Sequence, residues 1–540
     1  MSNRFALLGA LLLSALLAVP APVLAKATEH AAPTPKATPT PTAKATPAAK
    51  ATPAPAAKAT PAPAAKATPA PAAKTTASVV RVNATSQPYD FLRPWSKRPP
   101  FQRHAVGAVL PGGRVLTTAE QVANATYLEL EKPDSGEKSP AILETVDYEC
   151  NLALLKPADP AFLAPFKPLA VTEATPGENL AIWQLEANGT VLNTHALLTT
   201  AEVGEYPVGN TALLLYRLTT SLQPREGGFT SPLIKAGGLA GMLLRFDSRS
   251  QTADAIPAPV IRHFLQAAAA KGGYVGFPHA GFYTAPLRDP QLRHYAGLSA
   301  ETKGGVYIRH VLPGGPAEKA GIQKGDVLLA IGKNAVDQDG NTVDPHYGKI
   351  SIQHELSCLS FDGTQIPFKI ARQGKELTLP VVLRYQDPSQ SLIEPYTIDR
   401  APRYYLLGGL VFQELSRQFL KEWGPEWTTK APERFLYFDA YQEELFQNDP
   451  RSRIVILSNV LPTPCTVGYE ELNCLVVTQI NGVPLKNLGD IEAALAKPLG
   501  GFHHITFQGT PGEIVIDAAQ AAQIEPALLR GYNIPAIKKL

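Results

Sequence analysis

Two neighbouring hydroxyls, Thr230 and Ser231, follow Gly227-Gly228-Phe229 in the phrase REGGFTSPL. A hydroxyl becomes a nucleophile when an imidazole takes its proton, and His104 and His195 belong to the same stretch of chain. His104 stands ahead of an apolar run and His195 follows a turn, so each reads equally as an ordinary strand histidine. His263 and the pair His503-His504 read the same way. The 4 cysteines are too sparse for a disulfide scaffold. Cys465 and Cys474 flank one loop and are the candidates for a disulfide, whereas Cys150 and Cys358 sit in apolar runs and read as small buried hydrophobes. No residues show the spacing of a zinc site, and no metal or cofactor is implied.

The elements that would carry these groups are short strands. From Ser78 onward, runs such as SVVRV, HAVGAVL, RVLTT, TYLELE, LALLK, ENLAIW, ALLLYRL and GMLLRF alternate with the turn-formers PGG, PDSG, TPGEN and EANGT. That spacing predicts an all-β barrel or sandwich, and the stretch 257–271 reads as a helix closing a domain over 77–270. The chain of 540 residues is too long for one core. With 50 Lys+Arg against 47 Asp+Glu it lacks the basic excess of a nucleic-acid binder.

Residues 1–25 read as a secretory signal: Arg4, an apolar run from Ala6 to Val19, then small residues up to Ala25. The run is too short for a membrane-spanning helix. It predicts export, to a periplasm or cell envelope. Over 26–76 the octapeptide Ala-Thr-Pro-Ala-Pro-Ala-Ala-Lys recurs, without an aromatic residue. Such a segment has too little apolar surface to offset its ordering entropy and is expected to be a disordered linker, extended by its prolines.

Two modules follow, over 271–388 and 396–540. The first carries Pro316-Ala317, Ala320-Gly321, Gly325-Asp326 and Val327-Leu328-Leu329. Ala-Gly ends a short helix and Gly-Asp turns the chain into a buried strand, which is the pattern of a PDZ domain. Such a domain adds an extended peptide as a strand to a sheet edge and holds its carboxylate on backbone amides of an apolar-Gly-apolar loop. That loop is expected at Tyr274-Val275-Gly276-Phe277 in the first module. In the second, which lacks the Gly-Asp turn, it is expected around Gly408-Gly409-Leu410.

Together these phrases resemble the HtrA/Deg family of serine proteases in its two-PDZ branch. GGLVFQEL, VLPTPCTVGYEELNCLVVTQINGVPLKNL and GEIVIDAA look like that branch's second PDZ domain, and PVIRHFL like the helix that ends its protease domain. The resemblance implies a mainly β fold, a trypsin-like double β-barrel followed by two PDZ-like α+β domains. It also implies a Ser-His-Asp triad, and here the sequence departs from the family. RVLTTAEQV puts Glu120 at the His position, ECNLALLK puts Asn151 at the Asp position, and REGGFTSPL puts Phe229 at the Ser position. Phe229 has no nucleophilic atom, Glu120 no imidazole and Asn151 no charge. Losing one triad member already removes orders of magnitude in rate. Thr230 and Ser231 also replace the Gly-Gly that would complete an oxyanion hole. The expectation is a degenerate protease that is no enzyme.

On that reading the chain is an exported, non-catalytic binder of extended or unfolded polypeptides or protein C-termini. Its role would be that of a scaffold, a chaperone-like protein or a regulator in protein quality control, working as a homo-oligomer or beside an active HtrA relative. The alternative is an active serine endopeptidase with Ser231 or Thr230 as a shifted nucleophile and His104 or His195 as its base.

Overall fold

The structure, a computed structural model, describes residues 78–209, 211–223, 230–299 and 301–540. The signal and linker expected over 1–76, and Phe229, lie outside the described residues.

Six strands close the first barrel: β1 (Val79–Ser86), β2 (Phe101–Leu110), β3 (Arg114–Thr117), β4 (Ala125–Glu131), β5 (Lys138–Asp147) and β6 (Leu152–Pro157). Their order around it is β1-β2-β3-β6-β5-β4. The alternation of β1 explains the closure: Val80, Val82 and Ala84 are buried, while Arg81, Asn83 and Thr85 point the other way. A short helix, α1 (Ala119–Val122), bridges β3 and β4. The second barrel runs β10-β11-β12-β9-β8-β7. Its strands are β7 (Asn179–Leu185), β8 (Val191–Glu205), β9 (Ala212–Thr220), β10 (Pro232–Lys235), β11 (Gly238–Asp247) and β12 (Thr252–Pro257). Leu198, Leu215, Tyr216, Leu233, Met242 and Ile256 fill it. The expected closing helix is α2 (Ala258–Ala268), which buries Val260, Ile261 and Phe264 against this core. Pro259 in its first turn removes no intrahelical bond.

The first PDZ module contains β13 (Phe282–Ala285), α3 (Pro290–Tyr295), β14 (Val306–Val311), α4 (Pro316–Lys319), β15 (Val327–Ile331), β16 (Asn334–Ala335), β17 (Asn341–Asp344), β18 (Gly348–Ser351), β19 (Gln365–Arg372) and β20 (Lys375–Val382). The main sheet runs β13-β14-β15-β19-β20, and β17 and β18 form a separate hairpin. A helical turn, His354–Cys358, follows that hairpin. The Gly-Asp turn does what its residue types suggest: Gly325 takes a positive φ of 97° and Asp326 is buried. Asp326 accepts from Arg372 Nε at 2.7 Å and Nη2 at 2.8 Å. The β17–β18 hairpin carries Tyr347 into the core of the second barrel.

The second PDZ module has the sheet order β27-β26-β24-β23-β22-β21-β28, with β25 (Val483–Pro484) beside β24. Its long strands are β21 (Tyr404–Leu407), β22 (Leu410–Glu414), β23 (Val455–Val460), β24 (Leu475–Ile480), β26 (Phe502–Phe507) and β27 (Glu513–Asp517), and β28 is Lys538–Lys539. Between β22 and β23 lie α5 (Arg417–Leu420), α6 (Trp427–Lys430) and α7 (Glu433–Leu445); α8 (Asp490–Leu495) and α9 (Ala518–Gly531) follow later. Phe419, Phe435 and Phe438 of the inserted helices share a core with Phe91 from the β1–β2 connection. Among the described residues, no helix is long and apolar enough to cross a membrane.

Candidate functional site

A cleft of about 520 Å³ draws on strands of both barrels. Arg81 of β1, His104 of β2, Gln184 of β7, Glu186 and the pair Thr230-Ser231 are among its lining. The barrels are stitched here by Val106 N–H donating to Thr230 O at 3.1 Å. The register of the first barrel sets Asn83 opposite His104, and His104 Nδ1 lies 2.7 Å from Asn83 Oδ1. Thr230 Oγ1 is 2.8 Å from Thr118 Oγ1, just before α1. His104 and both candidate hydroxyls therefore line the same cleft, the ring bonded to Asn83 and Thr230 to Thr118. The structure does not bring His195 there: that residue lies on β8, where its carbonyl accepts from Thr220 Oγ1 at 2.8 Å.

Glu120 and Asn151 are neighbours, joined by Glu120 N–H donating to Asn151 Oδ1 at 2.8 Å. Asn151 also takes the Ala119 N–H on its backbone carbonyl at 3.1 Å. It thus caps the free donors at the start of α1, from a left-handed conformation (φ 53°) that asparagine tolerates well.

A second cavity, about 430 Å³, lies along the first PDZ module, with Glu443 of α7 also in its lining. Phe282, Tyr283 and Thr284 of β13 face Ile352 and Leu356 of the helical turn region across it. Strand β13 pairs with β14 and ends the sheet order, so one of its edges has no strand partner among the described residues. Gly281, ahead of β13, has φ 77°, and a Cβ there would come within 2.9 Å of Pro316.

PDZ-domain models match residues 393–538 and 307–344. Protease Do-like 4, mitochondrial, of Arabidopsis thaliana is 27% identical over 414 residues, spanning 76% of this chain and 75% of the relative. Protease Do-like 2, chloroplastic, of the same plant is 26% identical over 469 residues, spanning 85% and 74%. The chain resembles these Do-like proteases over three quarters or more of its length. A solved HtrA-type protease, AlgW with a decapeptide, overlays 58% of this chain and 97% of its own at 19% identity and a TM-score of 0.44.

These relatives correct one expectation. Glu120, Asn151 and Phe229 led to a chain that is no enzyme, but the HtrA/Deg relatives that span three quarters of it are named proteases. The replaced positions speak only to one arrangement of the triad; two hydroxyls and an imidazole still line the cleft between the barrels.

The PDZ loops also differ from expectation. Tyr274, Val275, Gly276 and Phe277 form no carboxylate cradle. They wedge the first PDZ module against the protease domain: Tyr274 donates its hydroxyl to Asp147, and Phe277 stacks on His263 with ring centroids 4.2 Å apart. Val275 is exposed, and a Cβ at Gly276 would stand 2.6 Å from the Tyr385 ring. An apolar-Gly-apolar phrase suits a tight buried junction as well as an open loop, and here the junction takes it. In the second module Gly408 and Gly409 make a tight turn between β21 and β22, with φ 59° and 116°. Leu410 is fully buried, and β22 pairs on both sides, so no edge is free there.

Cys465 and Cys474 are free thiols. Cys465 packs on the sheet core of the second PDZ module and Cys474 on the separate cluster around Phe419, so the expected disulfide is absent. His263, buried between Phe277 and Phe361, has its pKa lowered by desolvation to about 4. His503 is buried beside Asn481 at 3.1 Å, and His504 lies 3.1 Å from Glu513. Among the described residues, no group of three or more His, Cys, Asp and Glu could hold a metal.

Proposed function

We propose that this HtrA/Deg chain is an exported protease that takes extended polypeptide along β13 of its first PDZ domain, in protein quality control. The observation that carries this reading is the unpaired edge of β13 beside a groove of mixed lining, with Phe282, Ile352 and Leu356 next to Thr284, Ser351 and Gln353. A peptide added there gains ladder hydrogen bonds and side-chain pockets together, and its affinity should be micromolar, about −8 kcal/mol. The pattern of residues 1–25 supports export. Fluorescence anisotropy with a library of labelled C-terminal peptides on the full chain tests the reading. Gly281→Val, which crowds Pro316 and strains a positive φ, should abolish binding. Unchanged affinity in that variant would sink it.

The cleft that unites His104, Thr230 and Ser231 favours serine endopeptidase activity with Ser231 as nucleophile. Casein should be cut by the wild-type chain and left intact by Ser231→Ala. Equal cleavage by both would remove Ser231 from the role.

A further inference from the structure

The ring of His104 is held in one orientation by a network that starts outside the cleft. Asn83 Nδ2 donates to Glu131 Oε2 at 2.9 Å and to Glu129 Oε1 at 3.3 Å. Both carboxylates have cationic partners: Lys138 lies 2.8 Å from Glu129 and 3.7 Å from Glu131, and Arg81 lies 3.4 Å from Glu131. Burial alone would raise the Glu129 carboxyl, but bonds from Lys138 and Asn83 hold it below its usual range. Ionised carboxylates only accept hydrogen bonds, so the Asn83 amide must turn its NH₂ toward them. Its oxygen is then left for His104. An amide oxygen only accepts, so Nδ1 of His104 must carry a proton. In a neutral imidazole, Nε2 is then the free base.

We propose that Asn83 is the positioning residue that fixes His104 in the Nδ1–H tautomer, making Nε2 the proton acceptor of the inter-barrel cleft. This rests on the endopeptidase reading above. In that reaction the Ser231 Oγ–H proton passes to His104 Nε2 as Oγ bonds to the peptide carbonyl carbon and the C=O pair moves onto oxygen. The pair returns, the C–N bond breaks, and the leaving amine takes the proton from Nε2. A water then repeats the cycle on the acyl ester, returning the proton to Ser231. With the opposite tautomer, Nε2 would carry a proton at the outset and could not accept one.

The test uses the full chain with ¹⁵N-labelled histidine, the His104 signals being assigned from a His104→Gln spectrum. Nitrogen shifts report the tautomer whether or not the protein cuts anything. Wild type should show the Nδ1–H form, and Asn83→Leu should lose it. Asn83→Asp, which keeps an acceptor, should retain it. Casein cleavage should fall about 10²–10⁴-fold in kcat for Asn83→Leu, with KM little changed, and recover in Asn83→Asp. An unchanged tautomer in Asn83→Leu overturns the proposal, as does an Nε2–H form in wild type. The expected tautomers with no cleavage by wild type would overturn the endopeptidase reading and His104 as its base, while Asn83's hold on the ring would stand.

Discussion

Tyr347 is the point at which the first PDZ module enters the second barrel, and its removal should be felt in both. Its hydroxyl donates to Glu173 Oε1 at 2.7 Å and lies 3.1 Å from the Tyr216 hydroxyl, and the two rings are 6.1 Å apart. Tyr347→Phe deletes the bond to Glu173. A hydrogen bond to a charged group contributes about 1.5–3 kcal/mol. Glu173 is partly exposed and can be rehydrated, and Tyr216 keeps its bond to Ala174 O at 2.9 Å, so the lower end, about 1.5 kcal/mol, is expected. Tyr347→Ala also empties the ring's site, for a total of about 3–5 kcal/mol. A chain with several cores has no single unfolding free energy. The assay is therefore native-state hydrogen exchange of the β17–β18 amides and of β9, read against denaturant. A cycle with Tyr216→Phe should show coupling of at least about 0.5 kcal/mol. If Tyr347→Ala leaves β9 protection unchanged and the cycle is additive, the hairpin is not anchored as described.

Other variants probe other joints. Burial, together with the charges of Asp147 and Asp387, pushes the Glu149 carboxyl well above its usual range, and burial raises Asp147 as well. A carboxyl whose pKa is raised by folding contributes stability at acid pH that is lost as pH rises above its ordinary value. The melting temperature should fall as pH rises above the ordinary carboxylate range of about 4, and Glu149→Gln should make that fall smaller; a flat profile in wild type would contradict this. Asp326→Ala leaves the Arg372 fork without its partner and should cost about 3 kcal/mol, seen as a lower urea midpoint for the first PDZ module. Gly276→Arg meets the Tyr385 ring and Glu149 Oε2 and should lower the melting temperature by disturbing the junction. Peptide affinity at β13 should survive it.

Features held by neighbours in sequence were legible from sequence. The barrel strands announced themselves as apolar runs between turn residues, and the Ala-Gly and Gly-Asp phrases placed α4 and β15. Strand β8 was not legible, because much of its length is exposed and interrupts any apolar run. The inserted helices α5 to α7 escaped notice because their core is completed by Phe91, far away in the chain. In the candidate site the residue types were visible, but not their company. That His104 faces Asn83 follows from the β1–β2 register, which the sequence alone does not number. That Tyr274 to Phe277 form a junction depends on Asp147, His263 and Tyr385, all distant in sequence.

The β1–β2 connection has a consequence for the order in which the chain can mature. Phe91 O accepts from Gln413 Nε2 at 3.0 Å across 322 positions, and Trp95 packs edge-on against Tyr404 at 6.0 Å. Tyr404 in turn reaches Ala536 O at 2.9 Å, beside β28. The β1–β2 hairpin therefore has its apolar loop sealed by residues made some 322 positions later. Contacts of such separation close slowly, and until they close Phe91 and Trp95 are bare to any passing surface. A nascent or truncated chain lacking the second PDZ module would carry a nearly complete barrel with a sticky lip, a hazard during synthesis that the finished molecule no longer shows.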